Sequence, residues 1–243
     1  MWEVLFDIGV LNPAYFASPS NIVLSMVHLT FHGNLIVDSG FTLIRVLIGL
    51  FIAIIVAIPL GFLLGGFFKN LEYSINPMIR LLEQFNPLTV FHIVILFTLI
   101  NELSTIIVIY LAAQWPILSN TISGAKNVKP VYIKIAKAAM LDKFDIFWKI
   151  QLRSSLPRIF TGLRLGVTFG FLMAFGVEMM GMTTGRGLGY FILHTQESTS
   201  STDIPYIWAG IVTMTLIAIA LNYIITLIEN HTVKEKIRHN TIY

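Results

Sequence analysis

Six ionisable side chains fall inside or beside long apolar runs of this sequence: Arg45, Glu83, His92, Glu102, Arg164 and Glu178. Such groups are costly in hydrocarbon and normally face a bundle interior, a water-filled cavity or an opposite charge. Arg45, His92, Arg164 and Glu178 could line a translocation path, with the two arginines attracting an anion. The alternative is structural pairing or, for Arg45 and Arg164 near the ends of their runs, snorkelling to the membrane interface. Catalysis fits poorly, because no nucleophile stands beside a base at a useful spacing. The chain has neither a Gly-x-x-x-x-Gly-Lys-Ser/Thr phosphate loop nor a His-Glu-x-x-His pair, and it has no cysteine. His28 and His32 stand one helical turn apart without a third ligand nearby. Gly185-Arg186-Gly187-Leu188-Gly189 looks like a phosphate loop, but it follows an apolar run where a strand would be required. We therefore expect no catalytic role, and no cofactor or metal bound by this chain itself.

The elements that would hold these residues follow from composition. Hydrophobic residues make up 56% of the 243 and charged residues 12%, where a soluble domain carries about 25% charged residues. The expected fold class is an all-α integral membrane protein with about five transmembrane helices, since a hydrocarbon core needs roughly 20 apolar residues per span. Spans are expected near residues 41–67, 78–100, 105–123, 159–182 and 204–228. Pro87 should kink or break the second. Residues 1–40 are interrupted at Asn12-Pro13, Ser18-Pro19-Ser20-Asn21 and His32-Gly33-Asn34, so they are expected to lie at the interface, with Ser20 capping a short helix through Phe31. Membrane lipid is the expected surroundings, and nucleic acid is not an expected partner.

Charge orients the spans. Residues 124–158 hold eight of the sixteen Lys and Arg residues, which makes this loop cytoplasmic. Lys69 and the tail, residues 229–243 with Lys234, Lys236 and Arg238, fall on the same side. Residues 1–40 contain no Lys or Arg, and Arg186 alone occupies the loop after the fourth span. Five crossings satisfy every segment, with the N-terminus outside and the C-terminus inside. The same absence of early basic residues leaves no n-region for a cleaved signal peptide.

The basic loop reads as two short helices. Ile133, Ala136, Met140 and Leu141 have helical spacing, Asp142 to Asp145 forms a break with Asp145 as a cap, and Pro157 should stop the second helix. Phe144, Ile146, Phe147 and Trp148 then stand near water and need a cover, either the membrane surface or a partner protein.

Lys137-Ala138-Ala139, Leu156-Pro157 and Gly162-Leu163-Arg164 resemble the coupling loop of the permease subunits of binding-protein-dependent ABC importers. There a Glu-Ala-Ala, three residues, Gly pattern and a Leu-Pro ending surround the helix that docks on the ATPase. Ser18-Pro19-Ser20, Arg45-Val46-Leu47-Ile48-Gly49, Val177-Glu178-Met179 and Gly187-Leu188-Gly189-Tyr190 extend the resemblance over most of the chain. The last of these is similar to the nitrate, taurine and alkanesulfonate branch. The resemblance implies a type I ABC importer fold with a permease domain over 41–228, its coupling loop at 124–158, and a place in the inner (plasma) membrane. It implies three partners: an ATP-binding subunit carrying ATP and Mg, a second permease copy or paralogue, and an extracytoplasmic solute-binding protein. It also implies ATPase docking by Lys137, Ala138, Ala139, Lys143, Phe144, Phe147 and Trp148, and a small anion as solute. Departures are Lys137 for the Glu, Lys143 for the Gly, which would put a lysine in a left-handed turn at about 1 kcal/mol, His92 for a proline, and no helix before Trp2-Glu3. The competing reading is a secondary transporter or channel subunit, which should show an inverted repeat or coupling-ion carboxylates; neither is visible.

The orientation is directly measurable, because the chain has no native cysteine. A cysteine introduced near residue 1 should react with an impermeant thiol reagent on intact cells, and one after residue 239 should react only after permeabilisation. Labelling of both from outside would mean an even number of spans.

Overall fold

The computed structural model describes residues 1–67, 69–98, 101–181, 183–198 and 204–239, without the side chains of 67, 69–73, 101, 143 and 233–239. The side chains of Lys69, Lys143, Lys234, Lys236 and Arg238, and the expected span ends at 100 and 182, therefore lie outside the described residues. The chain is helical throughout, with no strand among the described residues. Short α1 (Trp2–Asp7) and α2 (Pro19–His32) precede α3 (Leu35–Phe62), which continues through a π-helical turn, Leu63–Phe67. Then come α4 (Lys69–Glu83), α5 (Pro87–Thr98), α6 (Asn101–Lys126) and α7 (Pro130–Ala138). Helix α8 (Lys143–Ile146) runs through a second π-helical turn, Phe147–Leu152, into α9 (Arg153–Met179), followed by α10 (Leu188–Glu197) and α11 (Ile204–His239).

Four stretches are long and apolar enough to cross a membrane: Leu35–Gly66, Glu102–Lys126, Phe144–Met179 and Ile204–Thr232. Ser74–Glu83 and Pro87–Thr98 make a fifth if they count as one span, bent by 88° at Gln84-Phe85-Asn86. The break falls where Pro87 was expected to disturb the helix. Pro87 occupies the first position of α5, where a missing N–H costs nothing, and Asn86 Oδ1 accepts from Leu88 N at 3.0 Å.

Four local expectations are corrected. The first crossing starts at Leu35 instead of residue 41, and Asp38 within it is buried in the bundle. Ser18, not Ser20, caps α2: its Oγ accepts from Asn21 N, Pro19 takes the first turn, and Ser20 donates to Glu3 instead. Pro157 does not end a helix. It lies in the first turns of α9, where the π-helical turn has already loosened the winding and the hydroxyls of Ser155 and Thr161 take the carbonyls of Gln151 and Pro157. Asp145 is inside α8 and pairs with Lys149 at 3.0 Å, so it caps nothing.

Helices α3, α6 and α9 form the core, with Val46, Ala53, Ile109, Ala113, Ile117, Val167, Ala174 and Val177 buried between them. Small residues set the approach, as expected where lipid is as apolar as the helix surface and close packing drives association. A Cβ at Gly162 would lie 2.9 Å from Asn120 Cβ and 3.0 Å from the Pro116 carbonyl; one at Gly61 would lie 2.6 Å from Thr121 Cγ2. Helix α11 packs on α9 and α2 at the periphery, with only 6% of its most apolar window buried. Trp208 fixes the N-terminal segment onto it, edge-on to Trp2 at 5.5 Å, stacked on Phe16 at 6.1 Å and donating through Nε1 to the Tyr15 carbonyl.

These contacts separate two glycines of equal composition and unequal role. Gly162→Val should lower the thermal midpoint of the detergent-solubilised chain by overpacking, at a cost of about 1–3 kcal/mol or more. Gly40→Ala, in a helix where a Cβ meets nothing within 4 Å, should leave the midpoint unchanged or raise it. Equal losses in both variants would contradict the packing described.

Candidate functional site

Asp38, Thr42 and Arg45 recur at helical spacing and put three polar groups on one face of α3. Arg45 is 2% exposed and Glu178, opposite on α9, is fully buried. The Arg45 guanidinium grips Glu102 of α6 with two bonds, Nε to Oε2 at 2.7 Å and Nη2 to Oε1 at 2.5 Å. Its Nη1 donates to Glu178 Oε1 at 2.7 Å and to the Arg186 carbonyl at 2.8 Å, and Nη2 reaches Thr184 Oγ1 at 3.5 Å. Five bonds thus meet the five N–H donors of a guanidinium. A lysine could not reproduce this fork. Phe41 lies against its cationic face, 5.8 Å from ring centre to Cζ.

The carboxylates are shared in turn. Thr42 Oγ1 donates to Glu178 at 2.9 Å and accepts from Leu188 N at 2.9 Å, Gly189 N donates to Glu178 Oε2 at 2.9 Å, and Gly187 N donates to Asp38 Oδ1 at 3.3 Å. Three acceptors from α3 and α9 therefore cap the first N–H groups of α10, which its own N-cap residue leaves without a side-chain bond. This explains Gly187-Leu188-Gly189 physically. Gly187 has φ +120°, and a Cβ there would stand 2.5 Å from Glu178 Cδ; a Cβ at Gly189 would stand 2.6 Å from Glu178 Cβ. Thr184 donates to Glu102, and Arg186 lies 3.9 Å from Asp38. No buried side-chain nitrogen or oxygen lacks a partner among the described residues. We call this arrangement the clasp.

Both arginines are paired with carboxylates, the second of the two roles open to them in the sequence. Arg45 faces the interior but is enclosed by carboxylates. Arg164, half a helix away on α9, pairs with Glu229 of α11. His92 is exposed on α5 with its ring edge-on to Phe91 at 5.9 Å. Of the four path candidates, the structure joins Arg45 to Glu178 and leaves Arg164 and His92 apart. Sequence reasoning missed Asp38 and Thr42, although their seven-residue register with Arg45 in an apolar helix was a readable signal.

At the opposite, basic end, α7 closes with a Schellman turn: Leu141 N bonds to Ala136 O at 3.1 Å and Met140 N to Lys137 O at 3.0 Å. The left-handed residue is Met140, φ +55°, whereas Lys143 begins α8. The strained position expected at Lys143 therefore lies three residues earlier. Lys137, Ala138, Ala139, Phe144 and Trp148 are exposed, as is Met140, at 93%. Phe147 differs: it is half-buried, edge-on to Phe62 at 5.1 Å, beside Ala125 and Ile159. Ile146 is buried as well. Exposed apolar side chains here include Val131, Tyr132, Ile135, Met140, Phe144 and Trp148, among Lys134, Lys137 and Lys149.

Comparison with known proteins agrees with this architecture. Residues 16–234 match the family described as the binding-protein-dependent transport system inner membrane component. A putative ABC transporter permease of Methanocaldococcus jannaschii is 31% identical over 84% of this chain and 76% of its own length. The taurine transport system permease of Escherichia coli is 26% identical over 91% and 80%, and the nitrate import permease of Leptolyngbya laminosa 29% over 79% and 67%. The chain belongs to the family of binding-protein-dependent transport system inner membrane components. It is a permease subunit of an ABC importer, in the branch that includes these taurine and nitrate proteins, with the all-helical type I permease fold.

The two arginines should respond unequally to loss of charge. Arg45→Gln strands a buried carboxylate and should cost about 3–5 kcal/mol, read as a large fall in thermal midpoint. Arg164→Gln removes a partly solvated pair and should cost about 1 kcal/mol or less. Adding Glu178→Gln to Arg45→Gln should return part of the loss. Equal effects of the two single variants would mean the clasp does not hold the fold.

Proposed function

We propose that a cytosolic ATP-binding subunit docks on the surface of Ile135, Met140, Phe144 and Trp148, and that the chain pairs with a second copy or paralogue to enclose the solute path. The exposure of these apolar side chains among lysines carries this reading, because such a patch beyond the spans needs a covering partner. The basic end then faces the cytosol, the clasp faces outward toward a solute-binding protein, and ATP and Mg belong to the docked subunit. With its glycine set on left-handed Met140, the family's Glu-Ala-Ala pattern falls on Lys134, Ile135 and Ala136 instead of Lys137 to Ala139. Buried Ala136 suits a small-residue position of that pattern.

The mechanism follows from continuity. Helix α8, the π-helical turn and α9 are one helical run from Lys143 to Met179, about 55 Å long at 1.5 Å per residue. A shift imposed at Phe144 and Trp148 is carried by that rod to Glu178, which holds α10 and the loop after α9 through the clasp. Docking and outer-end geometry are therefore two ends of one lever, and the chain does no bond chemistry. The relatives named for taurine and nitrate support a small solute bearing an oxyanion.

The test separates surface from packing. Phe144→Asp and Trp148→Asp, in the assembled transporter, should leave the chain inserted and stable while abolishing co-purification of the ATPase and solute-stimulated hydrolysis. Phe147→Asp should instead lower the stability of the chain itself. Normal co-purification and coupled hydrolysis with both exposed residues changed would refute the docking surface.

A further inference from the structure

Helix α4 is amphipathic, and its polar side faces α6 across a cavity of about 400 Å³. Asn76, Arg80 and Glu83 line it from α4, at positions one turn apart, and Ser119, Ser123 and Lys126 from α6. A second cavity of about 340 Å³ lies at the bend between α4 and α5. It also contains Glu83, with Gln84 and Asn86 beside it and walls from Phe85, Trp115 and Phe169. Glu83 lines both cavities. The polar α6 residues of the first, Ser119, Ser123 and Lys126, stand about one turn apart over roughly 10 Å, while the second is walled mainly by apolar side chains. Polar side chains of this kind mark pathways and water-filled cavities in membrane proteins.

The charges are separated along it. Toward the basic end stand Arg80 and Lys126 with the Ser123 hydroxyl and the Asn76 amide, a donor set that suits a sulfonate or carboxylate. Arg80 Nε is steadied by Asn76 Oδ1 at 3.3 Å. Between the two cavities stands the Glu83 carboxylate, 3.4 Å from Ser119 Oγ, whose one proton also reaches the Trp115 carbonyl at 2.9 Å, and aromatic walls follow. A carboxylate with aromatic faces is the set that receives an ammonium group. Glu83 and Arg80 are three residues apart on one helix, about 4.5 Å along its axis.

Building on the permease reading, we propose that these two cavities, which share Glu83, form the cytosolic half of the solute path and hold a small zwitterion. Its oxyanion lies between Arg80 and Lys126, and its ammonium lies at Glu83 against the aromatic walls. A simple anion lacks the second contact and meets Glu83 as a repulsive charge, so Glu83 determines specificity and Arg80 positions the anionic end. The buried arginine of the clasp has no part in this recognition.

The full-length chain carrying Ser123→Cys, in lipid vesicles open to reagent on the cytosolic face, provides the test. Its labelling by a thiol reagent is followed with taurine, ethanesulfonate or nitrate as protecting solute. Taurine should protect at about tenfold lower concentration than ethanesulfonate or nitrate, the gain expected from one charge-assisted contact. Glu83→Gln should erase that difference, and Arg80→Gln should weaken protection by taurine and ethanesulfonate alike, while unprotected labelling at the rate of Ser123→Cys alone shows an intact cavity. Equal or better protection by ethanesulfonate, or an unchanged preference in Glu83→Gln, would overturn the zwitterion site. Protection by none of the three, or only in vesicles containing anionic lipid, would overturn a solute site here altogether. The measurement needs no ATPase, so failure of ATPase docking in its own assay leaves this result interpretable, and the reverse holds as well.

Discussion

A guanidinium cannot sit in a bilayer without its hydrogen bonds, and the bundle is arranged around that requirement at Arg45. Nothing in hydrocarbon replaces water for an unpaired N–H or a bare charge. Its five bonds reach Glu102 on α6, Glu178 on α9, and Thr184 and the Arg186 carbonyl in the loop after α9. Because Glu178 is itself bonded to Thr42 and Gly189, the requirement passes on to α10. Removing one partner would leave a charge without compensation, which is costlier than the pair is stabilising. The clasp is thus best understood as a geometric specification: it fixes which helices meet, and at what height, more than it adds net stability.

The glycines and the clasp solve one problem from two sides. Charged groups must approach within hydrogen-bond distance, so the backbones carrying them must come unusually close. Gly189 lets the start of α10 lie on the Glu178 side chain, and Gly162 and Gly61 let α6 meet α9 and α3 with almost no intervening side chain. Polar satisfaction and small-residue packing then reinforce each other. A continuous α9 ties this end to the basic end. The π-helical turn at Phe147–Leu152 keeps the run unbroken past Pro157 and turns Phe147 into the bundle, leaving Phe144 and Trp148 outside.

Much of this was readable from the residues, and the limits are specific. Apolar run length located four crossings and the break near Pro87, because both depend on local composition. Arg45, Glu102 and Glu178 were recognisable as misfits in apolar surroundings, but their pairing was not, since the partners lie 57 and 133 residues apart. Asp38 was missed because the N–H and cation it meets come from the far side of the chain. Pro157 misled because a proline rule assumes a regular α-helix upstream, and a π-helical turn precedes it here. Phe147 was grouped with Phe144 and Trp148 by hydropathy, which cannot distinguish an apolar residue facing Phe62 from one facing outward.

The same limit explains why the partners of the two arginines were not legible beside them. A charge that stands out in an apolar helix does so because the surrounding sequence is dry, and dry surroundings demand a permanent protein partner. Arg45 and Arg164 met that demand with Glu102, Glu178 and Glu229, and an anion would have to displace a carboxylate to reach either. Polar residues available to a passing solute belong where water already reaches, on a helix too amphipathic to register as a span. Helix α4 fits that description, and its 88° bend into α5 places Glu83 on the walls of both cavities. On the proposed path, side chains that hold the bundle and side chains that meet the solute therefore separate by their access to water more than by their charge.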